Sequence, residues 1–323
     1  MYQNPTRIRR RLTAACVALA LLSAGAGHAA APQVGTQAPG YYRMALGAFE
    51  VTALYDGAID LDVKQLLTNV KPAQVDRLMK QSFARNPLRT SVNGYLVNTG
   101  SQLVLVDTGA AGLFGPTLGK LVDNLKAAGY QPEQVDAVLI THLHPDHVGG
   151  VMANGQRAFP KATLHVDQRD AAYWLDEAQM AKAPKESQGF FQGAMAAVKP
   201  YADAGALKTF DGNTELVPGI RALRAYGHTP GHSVYAIESQ GQKLLLWGDL
   251  MHVSAVQFAQ PSVTIQFDTD SRAAMGQRRN AYVDAAQGGY LVAAAHLPFP
   301  GIGRLRTEGG GYRFVPVDYV PYK

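Results

Sequence analysis

Thr141-His142-Leu143-His144-Pro145-Asp146-His147-Val148-Gly149-Gly150 follows directly on an apolar run, Val135 to Ile140. The run reads as a buried strand. In an extended segment His142 and His144 point to the same side, so one ion can take both. Pro145 then turns the chain, which lets Asp146 and His147 face a second ion. Gly149 and Gly150 allow the backbone to pass close to the site and to start a helix without steric cost. A lone histidine after a strand more often caps backbone groups. Four ligand-type side chains within six residues mark a metal site instead.

Working outward, further strands end in residues of the same kind. Asn93 to Val97 and Leu103 to Val106 flank Asn98-Thr99-Gly100-Ser101, a hairpin signal, and the second strand runs into Asp107-Thr108-Gly109. Asp107 reads as an acceptor that fixes a ligand imidazole from behind. Ile220 to Tyr226 is a strand ending at Gly227-His228-Thr229-Pro230-Gly231-His232. Ser233 to Glu238 and Lys243 to Trp247 form a hairpin ending at Gly248-Asp249, and Tyr290 to Ala295 ends at His296. Ligands gathered at strand ends from distant segments are how a rigid scaffold holds a site open on one edge.

Counting gives a two-metal set. The first ion would take His142, His144 and His228, the second Asp146, His147 and His296, with Asp249 bridging both. Spacing alone does not separate His228 from His232 as the ligand. His165 and His252 read as non-ligands. Nitrogen and carboxylate donors without thiolate suit zinc, and manganese, iron or cobalt fit the same cage. Two divalent ions, two carboxylates and a bridging hydroxide leave a charge of about +1, which favours an uncharged electrophile whose oxygen becomes negative on attack. A metal brings the pKa of bound water to about 7, so no cysteine or serine nucleophile is needed. Asp146 is placed to accept a proton from that water. The expected reaction class is metal-assisted hydrolysis of an ester, lactone, amide or phosphoester, with Asp146 and Asp249 at the reacting centre.

The chain has 323 residues, 47% hydrophobic and 17% charged, enough for a sizeable core. Residues 1–30 differ from the rest: Arg7, Arg9, Arg10 and Arg11 precede an apolar stretch from Leu12 to Leu22, with a small-residue cut near Ala29 or Ala30. That is the pattern of a signal peptide, too short for a spanning helix, and Arg9-Arg10-Arg11-Leu12 also fits a loose twin-arginine signal. The expected address is periplasmic or secreted, with no membrane anchor after removal. Those residues hold four of the 30 Lys and Arg and none of the 25 Asp and Glu, so the remainder is nearly neutral. No basic cluster interleaved with aromatics remains, which excludes a nucleic-acid surface. The only cysteine, Cys16, lies in the same segment, leaving no disulfide, thiolate ligand or cysteine nucleophile after it.

Elsewhere residues 31–45 read as an extended arm, and Phe49 to Tyr55 as a strand ending at an Asp56-Gly57 turn. Helices are predicted over Ala73 to Ala84, Leu118 to Ala128, Asp167 to Ala181, Gly189 to Val198 and Ser271 to Ala286, and a strand over Ala162 to Val166. Hairpins mixed with helices, without a composition break after residue 31, predict a single α/β domain over residues 31–323 built on more than one sheet.

Taken together, Asp107-Thr108-Gly109, the His142 to His147 run, Gly227-His228 to His232, Gly248-Asp249 and His296 resemble the metallo-β-lactamase fold superfamily. The resemblance implies an αβ/βα sandwich of two mixed β-sheets flanked by helices, with the metals at one edge. It selects His228 as the ligand and leaves His232 outside the coordination sphere. Asp249 differs from true β-lactamases, which lack that bridging aspartate. His144, where flavo-diiron proteins carry glutamate, argues against redox iron.

Within the superfamily, Gly40 to Met44, Val104 to Leu118, Gln131 to Val135, Pro298 to Gly303 and Gly311 to Pro316 resemble the methyl parathion hydrolase branch. By matching positions, Phe114, Trp174 and Phe190 would wall the leaving-group pocket, and a homodimer is implied. The chain departs from that branch at His252, Ile265 and Phe267, where smaller or aliphatic residues stand, and is one residue shorter before Gly189. Bulk beside the metals crowds a tetrahedral phosphotriester more than a planar lactone or aryl ester. The expectation is therefore hydrolysis of lactones and aryl esters of the dihydrocoumarin type, with organophosphate turnover secondary. Organophosphate triesterase as the main activity, a glyoxalase-II-like thioesterase and an acyl-homoserine lactonase are the alternatives. No basic surface for an anionic glutathione tail is visible.

Overall fold

A computed structural model describes residues 31–322, so the expected signal peptide lies outside the described residues. The chain divides between Ala38 and Pro39, and the elements below all belong to the unit that begins at Pro39. Among the described residues no helix is long and apolar enough to cross a membrane.

Two seven-stranded sheets carry the unit. In spatial order the first comprises Tyr41–Leu46, Phe49–Leu61, Leu88–Asn98, Leu103–Val106, Ala137–Leu139, Thr163–Asp167 and Leu207–Phe210. Its hairpin half is antiparallel and its last three pairings are parallel. The second comprises Glu215–Val217, Ile220–Arg224, Ser233–Ser239, Gln242–Leu246, Leu291–Ala293, Ile302–Glu308 and Gly311–Pro316, antiparallel except where Gln242–Leu246 meets Leu291–Ala293.

The period-two pattern of the strands explains the layering. Leu103 and Leu105 face a core shared with the helices Leu121–Ala127, Gln168–Trp174 and Lys185–Asp203, whereas Val104 and Val106 face the second sheet. In the second sheet Leu244 and Leu246 meet the first, and Leu245 turns outward toward Tyr282 and Ala285 of the Ser271–Gly288 helix. Helix, sheet, sheet and helix stack in that order, the architecture expected of the αβ/βα sandwich.

Several local expectations are corrected. Part of the expected arm, Tyr41–Leu46, is an edge strand paired with the next one. That next strand does not stop at Asp56-Gly57. It continues to Leu61 through an irregularity in register between Tyr55 and Gly57. The predicted helix over Asp167 to Ala181 is two helices, Gln168–Trp174 and Glu177–Lys182, because Asp176 caps the second with its side chain. The helix predicted from Gly189 starts at Lys185 and runs on to Asp203, past Pro200. The closing hairpin, Ile302–Glu308 with Gly311–Pro316, had escaped the sequence pattern.

Candidate metal centre

The Ala137–Leu139 strand delivers the chain to Thr141, whose N–H and hydroxyl both donate to Asp107, at 2.8 Å each. This pins the start of the ligand run to the end of the neighbouring strand. Asp107 sits at φ +56°, in the left-handed region that non-glycine residues seldom adopt, and its Oδ2 lies 2.8 Å from His147 Nδ1. The helix that follows begins at Pro145, not at the glycines: proline at its first position carries no N–H that would be left over. Gly150 serves the close approach instead, since a Cβ there would lie 1.9 Å from the Thr108 carbonyl.

The distant segments converge on this run. His228 Nε2 lies 3.2 Å from both His142 Nε2 and His144 Nδ1, while its Nδ1 is held by Asp268 at 2.9 Å. Asp249 Oδ1 lies 3.2 Å from His147 Nε2, and Asp249 Oδ2 lies 3.2 Å from His296 Nε2 and 3.6 Å from His142 Nε2. Asp146 Oδ2 stands 3.6 Å from His147 Nε2 and 3.5 Å from His296 Nε2, and His296 Nδ1 is anchored on the Ser91 carbonyl. Two groups of donor atoms result, His142, His144, His228 and Asp249 in one, Asp146, His147 and His296 in the other.

These donors fit cations. His147 Nε2 and Asp249 Oδ1 are buried without a hydrogen-bond partner, an expensive state that a shared metal ion relieves. Three imidazole nitrogens converge at 3.2 Å, where lone pairs need an electrophile between them. The proton affinities say the same. Burial holds His142 and His144 well below the ordinary histidine value. Burial also works against charge on His147, yet the carboxylates of Asp249, Asp146 and Asp107 outweigh it and push its pKa well up. His228 rises to about 9, its burial overcome by Asp249 and Asp268. The pocket is built to hold positive charge.

His232 stands behind the cluster. Its Nε2 accepts the Asp249 N–H at 3.0 Å and its Nδ1 faces the Ala225 carbonyl at 3.2 Å, which fixes a neutral ring. Burial takes its pKa down to about 3. Asp170 was not singled out by sequence, yet its two oxygens accept the N–H groups of Leu143 (2.8 Å) and Gly231 (2.6 Å), tying the two histidine loops together. Asp268 was missed as well. Both are lone carboxylates whose partners are remote in sequence, and no local spacing betrays them. His252, read as a non-ligand, has its Nε2 3.0 Å from Asp249 Oδ2, and Asp249, His252 and His296 form a third group within coordinating distance of one another.

A cavity of about 300 Å³ opens onto the cluster between Asp146, Asp249 and His296. Phe114, Phe190, His252 and Phe267 line it, joined by Ile59, Asp60 and Leu61 from the strand that overran its expected end. Phe114 and Phe190 meet edge to face at 6.3 Å. Trp174 lies outside the lining; it packs edge-on against His144 at 5.0 Å, 3% exposed. Ile265 is fully buried in the Val63, Val75 and Val256 cluster, also away from the lining.

Residues 88–311 match the Metallo-beta-lactamase superfamily. An N-acyl homoserine lactonase of a Bacillus species is 31% identical over 165 residues, 45% of this chain and 58% of that protein. The chain thus spans little more than half the length of the curated relatives it matches. Among solved structures, hydrolase AbOPH of the β-lactamase superfamily superposes with a TM-score of 0.85 at 38% identity, covering 88% of this chain and all of that one. AidC, a dizinc quorum-quenching lactonase solved with the product N-hexnoyl-L-homoserine, gives a TM-score of 0.81 at 26% identity over 87% and 99% of the two chains. With the superfamily match spanning the ligand run, Asp249 and His296 alike, the chain belongs to the metallo-beta-lactamase superfamily.

Proposed function

We propose that the chain is a dinuclear metal hydrolase acting on small uncharged lactones and aryl esters. One observation carries the reading: an aromatic-walled cavity of about 300 Å³ ends on the donor cluster. Besides Asp146 and Asp249, the buried carboxylates of Asp107 and Asp268 each face a candidate ligand imidazole within 3 Å. Counted as for the motif, two divalent ions, these four carboxylates and one hydroxide come to about −1, less positive than the residues of the motif alone implied. Such a site has little attraction for an anionic tail such as that of a glutathione thioester, and accepts a neutral ester.

His142, His144, His228 and Asp249 would hold one ion, and Asp146, His147, His296 and the same Asp249 the other, zinc being suited to the nitrogen and carboxylate set. When bound, the pair would supply an ionised water at neutral pH and a Lewis acid for the substrate oxygen. Asp107 and Asp268 face the Nδ1 atoms of His147 and His228 and would keep a hydrogen there, so that with ions bound Nε2 of each ring would be the coordinating atom. Asp146 is the more accessible carboxylate, its side chain 14% exposed against 2% for Asp249. On the oxygen not given to the ion, it would take the proton released as that water ionises and return it to the leaving oxygen, a phenoxide in an aryl ester. Phe114 and Phe190 present a face and an edge to an aryl leaving group.

The test pairs metal content by mass spectrometry with kcat/KM for dihydrocoumarin, an acyl-homoserine lactone and methyl parathion on one preparation. The aryl lactone is expected to lead. A tenfold preference for the phosphotriester, about 1.4 kcal/mol in barrier, would reverse the order. The likeness to acyl-homoserine lactonases favours that lactone as the second reading. A periplasmic or secreted location and a homodimer remain part of the proposal, checked by cell fractionation and light scattering.

A further inference from the structure

Outside the donor cluster, one buried carboxylate gathers an unusual share of backbone. Asp56, 1% exposed, lies at the irregularity in the Phe49–Leu61 strand. Its Oδ2 accepts the N–H of Ala110 at 3.0 Å and of Gly119 at 3.1 Å, and its Oδ1 accepts that of Leu121 at 3.1 Å. Its own carbonyl accepts the Lys120 N–H at 2.9 Å. Both feet of the segment from Gly109 to Lys120 are therefore held on one residue. The fit is tight. A Cβ on Gly109 would lie 2.2 Å from the Asp56 carboxyl carbon, and one on Gly119 would lie 2.7 Å from the Ala111 carbonyl.

The tip of the segment is built differently. Leu113 and Phe114 are 50% and 37% exposed, and flanking Gly112 and Gly115 have open space around them. Phe114 nevertheless lines the cavity, facing Phe190 across 6.3 Å. The Leu113 N–H donates to the Ala110 carbonyl at 3.1 Å, and the Leu113 side chain lies against Gly149 and Gly193. Ala110 is itself held by Asp56, so the reach of Phe114 depends on the feet.

We infer that Asp56 is a positioning residue for substrate selectivity: by clamping Ala110, Gly119 and Leu121 it fixes how far Phe114 reaches over the cavity, and so the preference for aryl over alkyl substrates. The inference rests on the proposed lactonase reading. Three N–H donors converging on one side chain suit a carboxylate, which has acceptors only. Asp56→Asn keeps the shape but turns an NH2 toward at least one of those donors.

The experiment measures Asp56→Asn against wild type on dihydrocoumarin and on an unsubstituted aliphatic δ-lactone, with hydrogen exchange on the same samples. The expected result is a fall of about tenfold in the aryl-to-alkyl ratio of kcat/KM, carried by KM, with metal content retained. The Ala110, Gly119 and Leu121 amides should exchange faster. In a Phe114→Ala background the same change should leave the ratio as it is, because Asp56 would have nothing left to position. Equal losses on both lactones, or a ratio within twofold of wild type, overturn the inference and leave Asp56 a structural residue only. If Asp56→Asn does not fold, Gly119→Ala displaces the same foot with the carboxylate intact, and it must lower the ratio too; an unchanged ratio there is equally fatal. Should wild type hydrolyse neither lactone, the lactonase reading has failed, and dissociation constants for the two hydroxy-acid products become the readout.

Discussion

Asp268 and Asp107 each orient one imidazole, and neither is a candidate ligand itself. A carboxylate 2.9 Å from His228 Nδ1 holds a hydrogen on that nitrogen, which leaves Nε2, turned toward His142 and His144, as the atom to meet an ion. Removing such a partner typically costs 10–100-fold in metal affinity, so Asp268→Asn is expected to lose about that much for one ion, read by chelator competition. Affinity equal to wild type would mean that Asp268 only fills space. Phe114→Ala should act on the substrate alone: KM for an aryl lactone rises several-fold, metal affinity does not move, and a parallel drop in both would place Phe114 in the scaffold. Residues of this sort divide cleanly by legibility. His142, His144 and His147 announce themselves by spacing, whereas Asp268, Asp170 and Asp56 are isolated acids whose partners lie tens to scores of residues away.

At the scale of elements, the strand ends are held to one another by backbone contacts that leave no room for side chains. Thr108 receives both the turn after its strand and the glycines after the short Pro145–Val148 helix, with Thr108 N and Oγ1 each 2.8 Å from the His147 carbonyl. A methyl group at Gly150 would drive these elements apart. Gly150→Ala is expected to destabilise by about 2–3 kcal/mol or more, within the range seen for overpacking, with loss of bound metal. Denaturant midpoints would measure it, and a change below about 0.5 kcal/mol would show that the approach is looser than the distances say. The elements also explain the misreadings. Gly57 looked like a turn because glycine and aspartate usually end strands. Here the irregularity aims Asp56 at the neighbouring segment, and pairing resumes to Leu61. That extension brings Ile59 and Leu61 to the cavity wall.

At the scale of the whole molecule, stability is expected to depend on acid and on metal. His165 lies in the Thr163–Asp167 strand, and burial together with nearby Lys208 takes its pKa from 6.5 to about 4. A histidine depressed in the folded state favours folding above pH 6.5 and withdraws that favour as pH falls toward 4. With its partial exposure the loss is about 2 kcal/mol. His165→Gln should therefore flatten the decline of stability between pH 7 and pH 4, as followed by thermal unfolding; a decline as steep as in wild type would discharge His165 from the account. Ions that bind only the native state stabilise it by mass action, about 4 kcal/mol at a thousandfold excess over Kd. Chelation should lower Tm markedly if two ions are held, and indifference to chelator would contradict the donor geometry.

What the sequence determined by itself was the chemistry at the end of one strand and the kind of scaffold able to present it. Ligand spacing in an extended chain, period-two strands and capped helices are local properties, and local properties are written in neighbouring residues. Spacing left His228 and His232 open and the family resemblance chose His228; only the tertiary structure decided that His252 comes within coordinating distance, and that Trp174 and Ile265 stand back from the cavity. Those outcomes depend on where strands remote in sequence bring their ends together, and on which side of a packed ring another element arrives. That information resides in the assembled core, because no single segment contains both partners.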